Sequence, residues 1–164
     1  MKKSLKKTFS VAILLAVALF SSVSVKAENM YLQIFPKLSE HPDIEMRYLS
    51  AEAYETTMGL QLISWQTRLL AEKCMGGITS VTIITTNADG PAQRLGMGEF
   101  DSFKKTHPKM KLISSTKNNE ESRSIWLLPG TNKEAPQMIV IVKTSSYALF
   151  SVLTGKSENS PENR

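Results

Sequence analysis

One cysteine and two histidines stand in a chain of 164 residues, and that scarcity excludes several chemistries at once. A lone thiol, Cys74, forms no internal disulfide, so core packing has to hold the fold. Zinc or copper sites need three or four donors converging on one ion. Cys74-Met75 has no His or Met three or four positions away, and the methionines at 30, 46, 58, 75, 97, 110 and 138 are scattered. Cys74 therefore reads as a buried core thiol at a helix end, where unpaired cysteines usually sit. There is no G-x-S-x-G elbow, no H-E-x-x-H and no P-loop. Gly96-Met97-Gly98-Glu99 lacks the third glycine of a phosphate loop and follows no strand. No metal and no cofactor is assigned.

A membrane-spanning run is missing too. The chain opens Met1-Lys2-Lys3-Ser4-Leu5-Lys6-Lys7, then runs apolar from Val11 to Phe20. That is far short of the roughly 20 residues a bilayer crossing needs. Ser21-Ser22-Val23-Ser24 leads to Val25-Lys26-Ala27, with small residues at the −3 and −1 positions. These are the n-, h- and c-regions of a signal peptide cleaved after Ala27. No cysteine stands near the cut, so a lipoprotein leader is excluded. The expectation is a mature protein outside the cytoplasm, periplasmic or secreted, with no stable membrane anchor after cleavage.

Net charge is the next thing lost. The full chain has 20 basic and 15 acidic residues, but five of the lysines and none of the acids lie in the leader, which leaves 15 of each. A neutral chain has no electrostatic case for nucleic acid or an anionic membrane.

What is present is β-branched. Gly76-Gly77 halts the preceding segment, and Ile78-Thr79-Ser80-Val81-Thr82-Ile83-Ile84-Thr85-Thr86 follows. Such side chains suit a pleated surface. Val81 and Ile83 fall on one parity and Ile84 on the other, which predicts an interior strand buried on two sides. Upstream, Ile44 to Leu49 alternates as a half-buried strand. Ser50 then caps a helical stretch, Ala51 to Cys74, whose stripe Tyr54, Met58, Leu62, Trp65 and Leu69 is expected to face the sheet. Gly59 makes this stretch one long helix or two short ones. Downstream, Asp89 is expected to cap a second helix with Pro91 in its first turn; Leu95, Phe100 and Phe103 face inward, and Pro108 stops it. Strands are expected over 109–115, 124–128, 137–144 and 147–154, joined by short polar turns as a meander.

The order β-α-β-α-β-β-β-β predicts a two-layer α+β sandwich, with helices on one face of a mostly antiparallel sheet. The expected organisation is a cleavable leader over 1–27, a single domain over 28–155 and a disordered polar tail over 156–164. If helices cover the Ile125 face, Trp126 stands on the open face. Trp126 and Tyr147 are then the expected interaction surface for a protein or peptide partner. No oligomeric state is assigned. A competing reading is a small extracytoplasmic hydrolase with acid–base groups at His41, Asp43 and Glu45. A third is a binder of a small apolar ligand between helices and sheet.

The order of elements is itself familiar. A signal peptide and Phe35 are followed by Tyr48-Leu49-Ser50, Met58, the Ile78-to-Ile84 strand, Phe103 and a closing Leu153-Thr154-Gly155. This resembles small exported bacterial envelope proteins of domain of unknown function family 4252, over most of residues 30–156. The resemblance implies an extracytoplasmic compartment and this topology, and carries no catalytic residue. The leading expectation is a non-catalytic envelope protein that binds its partner through the open sheet face or an edge strand.

Overall fold

The computed structural model describes residues 30–56, 63–132 and 134–156, with the backbone alone at residues 55 and 56. Residues from Tyr31 onward belong to one unit, and the account below concerns that unit. The leader, its cleavage point after Ala27, Met58, Leu62 and the tail beyond Lys156 lie outside the described residues.

A helical turn ending at Ile34 and a 3-10 turn, Leu38–Glu40, lead into the main elements. These are β1 (Ile44–Ser50), α1 (Ala51–Thr56), α2 (Trp65–Met75), β2 (Ile78–Asn87), α3 (Pro91–Thr106), β3 (Lys111–Lys117), β4 (Glu121–Leu128), β5 (Gln137–Thr144) and β6 (Tyr147–Gly155). The six strands form one antiparallel sheet in the order β1-β2-β6-β5-β4-β3. Strand β2 is interior as its β-branched run requires, lying between β1 and β6. Strands β3 to β6 form the expected meander.

The chain moves from β2 to β3, at the sheet's far edge, along α3. Sixteen helical residues span about 24 Å at 1.5 Å each. Four strand spacings of 4.7–4.9 Å come to roughly 19 Å, so one helix of this length bridges the sheet.

Helices lie on both faces, which corrects the two-layer arrangement with a single roof. Cross-strand rows make this plain. Ile84, Phe150 and Ile141 are register partners on one face, and Ile83, Ser151, Val140 and Ile125 on the other. The first face packs against Ala92, Phe100 and Phe103 of α3 and against Tyr31, Ile34, Phe35 and Leu38 of the lead-in. The second packs against Tyr54 of α1, Ile63, and Ala71 and Met75 of α2. The physical reason is in the strands: β5 is buried at six consecutive positions, Gln137 to Val142, and β2 at five, Ser80 to Ile84. Strands greasy on both parities need cover on both sides.

The described residues of the stretch 51–75 fall in two helices, since the chain bends at Ile63 and a new helix is capped by Ser64. The Ser64 hydroxyl accepts the Thr67 N–H at 3.3 Å, an N-cap. The restart resets the phase. Thr67, Ala71 and Met75 turn inward, while Trp65 is 68% and Leu69 53% exposed. Both stand off the sheet, contrary to the expected stripe. Gly76, at φ +67, closes α2 in the left-handed cap that glycine favours. At α3 the cap residue is Gly90 and not Asp89. Asp89 holds a left-handed φ of 56, which Asp tolerates better than most residues, and its carboxylate pairs with Lys143. That ammonium holds the Asp89 carboxyl below its ordinary range. Strand β4 starts earlier than expected because Asn118 Oδ1 accepts the N–H groups of Glu120 and Glu121, tightening the hairpin.

Candidate functional site

Trp126 lies under α3, not on an open face. Its ring meets Phe100 edge-on with centroids 5.5 Å apart, and Lys104 Nζ sits 4.9 Å from its centroid. Its parity is that of Ile139 and Phe150, the face α3 crosses. Tyr147 is exposed, at the start of β6, on the parity of Leu149 and Leu153. The two aromatics expected to share one surface are therefore on opposite sides of the sheet.

His41 and Asp43 do approach. The Asp43 N–H donates to His41 Nδ1 at 3.2 Å, and the carboxylate lies 3.9 Å from that nitrogen. Glu45 turns away to Arg47, whose Nε donates to it at 2.8 Å. The three do not share one partner, and none lines the groove beside α3 or the cleft beside Cys74. Acid–base work needs both groups within reach of one bound substrate, and this arrangement does not provide it.

Cys74 is exposed, so its expected core role is corrected: helical geometry turns the adjacent Met75 into the core and leaves the thiol outside. It borders a cleft with Glu72, Lys73, Glu134 and Lys156. Among the described residues, no group of three or more His, Cys, Asp or Glu side chains is placed to hold a metal ion. Nor is any helix among them long and apolar enough to cross a membrane.

One long-range structural contact had no sequence signal. Glu99, in the middle of α3, accepts the backbone N–H groups of Lys37 and Leu38 at 2.8 and 2.9 Å, pinning the lead-in to the helix. It satisfies the first donors of the 3-10 turn, which would otherwise lack partners. Its partners are backbone atoms 61 and 62 residues away, so nothing near Glu99 in the chain announces them.

The sheet's two edges differ sharply. Strand β3 carries Lys111 and Lys117 at its ends and an irregularity in register between Leu112 and Ser114. Lysines and bulges are the devices that keep an edge from pairing with another chain. Strand β1 has neither. Its register with β2 runs unbroken from Ile44↔Thr86 to Ser50↔Ser80. Met46 and Tyr48, each 43% exposed, stand on one of its faces, and the mutually paired Glu45 and Arg47 on the other. Every second residue of such an edge strand directs its N–H and C=O away from its neighbour.

A scan against protein-family models matches none, and a search of curated proteins finds no relative.

Proposed function

We propose that this is an exported, non-catalytic envelope protein that binds an extended segment of a partner protein along the outer edge of β1. The observation that carries the reading is the contrast between the β3 edge, with its lysines and break in register, and the β1 edge, regular along its length with its Glu45 and Arg47 charges paired to each other. Strand addition takes affinity from main-chain hydrogen bonds and specificity from alternate side chains. The incoming segment would set apolar side chains beside Met46 and Tyr48 and polar ones beside the Glu45–Arg47 pair. Export rests on the leader and its cut after Ala27; the resemblance to domain of unknown function family 4252 supports the same compartment. The contact surface is the edge and not a sheet face, since helices pack on both faces.

The test combines capture with hydrogen exchange. Envelope proteins are captured on the mature chain, and amide exchange is measured in the isolated complex. The outward amides of β1 gain protection, those of β3 do not, and Met46→Lys with Tyr48→Lys abolishes capture while Leu112→Lys leaves it intact. Capture that survives the β1 pair, or a complex without protection in β1, overturns the proposal. N-terminal sequencing of the extracytoplasmic protein should begin at Glu28.

A further inference from the structure

A groove of about 600 Å³ runs between the lead-in and α3, within the roughly 300–1,000 Å³ typical of ligand clefts. Ile34, Pro36, Leu95 and Phe103 give it an apolar floor. Its walls are fixed by the Glu99 bonds to the Lys37 and Leu38 N–H groups, so it is formed before any ligand arrives. Lys37 and Arg94 stand exposed at its rim. Among the described residues neither makes an ion pair; Arg94 donates to the Asp89 carbonyl instead.

Two glycines of α3 separate packing from something else. A Cβ on Gly96 would sit 2.7 Å from Phe150 and 2.9 Å from Leu38, so the core itself demands glycine there. A Cβ on Gly98 would meet nothing within 4 Å, and its φ is not positive. Neither packing nor backbone conformation explains a residue that weakens the middle of a helix. Gly98 lines the groove, and any side chain there would project into it.

We propose that this groove is a binding site for an anionic amphiphile. The ligand class is a long-chain carboxylate, its aliphatic chain on the Ile34, Pro36, Leu95 and Phe103 floor and its head held by Lys37 and Arg94. Gly98 keeps the floor open. The site is independent of the β1 edge.

Calorimetric titration of the mature chain with dodecanoate, below its micelle-forming concentration, tests the site, with 1-dodecanol as the uncharged probe. Dodecanoate binds saturably, one per chain. Gly98→Phe and Gly98→Leu each abolish binding while melting no lower than the parent. Lys37→Gln with Arg94→Gln weakens dodecanoate about tenfold or more, the loss of charge-assisted hydrogen bonds, and leaves dodecanol unchanged. Met46→Lys with Tyr48→Lys changes nothing here. Non-saturable uptake, binding that survives both Gly98 variants, equal affinity for dodecanol, or loss of binding in the β1 pair overturns the proposal.

Discussion

The two faces of one sheet are packed by different means. Under α3 the contacts are aromatic: Phe35 meets Phe150 edge-on at 5.3 Å, Phe100 meets Trp126, and Phe103 stacks on His107 at 3.8 Å. The opposite face is aliphatic, with Ile63, Ile83, Ile125, Val140 and Leu153 among its buried residues, and Tyr54 is its one buried aromatic among the described residues. Rings fill space in large pieces and prefer edge-to-face geometry. A long helix can ride on them only where a glycine admits them. The short α2 comes close through Ala71 and, at its end, through a glycine of the sheet: a Cβ on Gly155 would sit 2.5 Å from the Met75 Cβ. Stability that rests on a few large rings is brittle to single changes, and stability spread over many aliphatic side chains is more tolerant.

That contrast can be broken first at Phe150, fully buried at the centre of the aromatic face. Phe150→Ala should lower unfolding free energy by about 3–5 kcal/mol in urea denaturation, the range for an emptied aromatic site. A loss near 1 kcal/mol would show that α3 collapses onto the gap and that the rings are not what hold it.

A smaller effect separates the two helix glycines. Gly96→Ala forces a Cβ against Phe150 and Leu38. Overpacking of this kind costs about 1–3 kcal/mol, partly offset by about 1 kcal/mol of helix propensity. Gly98→Ala meets nothing and should raise stability by up to about 1 kcal/mol. Thermal melts of the two should move in opposite directions.

The smallest effect belongs to the tolerant face. The Tyr54 hydroxyl is buried with no partner among the described residues. Burial pushes its phenol above the ordinary value of 10.0, with Arg68 opposing and Glu72 adding slightly. Tyr54→Phe should leave stability at neutral pH within about 1 kcal/mol of the parent and on the favourable side, since an unpaired buried hydroxyl is a penalty removed. The sign with pH follows from linkage. Above pH 10 the unfolded chain gives up the phenol proton while the folded chain keeps it, so the parent loses stability as pH rises. Denaturation curves from pH 9 to 11 should fall more steeply for the parent than for Tyr54→Phe.

Much of the strand architecture was legible, because the Ile78-to-Thr86 run and Met138-to-Val142 are greasy on both parities. The same fact pointed to two roofs instead of one, and the count of helices obscured it. Trp65 and Leu69 misled because their phase was read through Ser64, where the chain in fact starts a new helix. Trp126 misled because its exposure depends on which parity α3 covers, and the crossover, not the strand, decides that. His41 and Asp43 meet because they are two residues apart. The Glu99 pin and the groove depend on contacts between segments about sixty residues apart, and no local pattern encodes them.

Strand β2 finds one neighbour in β1 and the other in β6, which begins sixty residues after β2 ends. A ribosome adding residues one by one therefore releases this two-faced apolar strand long before its second partner exists. Contacts this distant along the chain close slowly and leave apolar surface waiting. The order of strands in the sheet thus leaves one side of β2 without its partner until the last strand has been made.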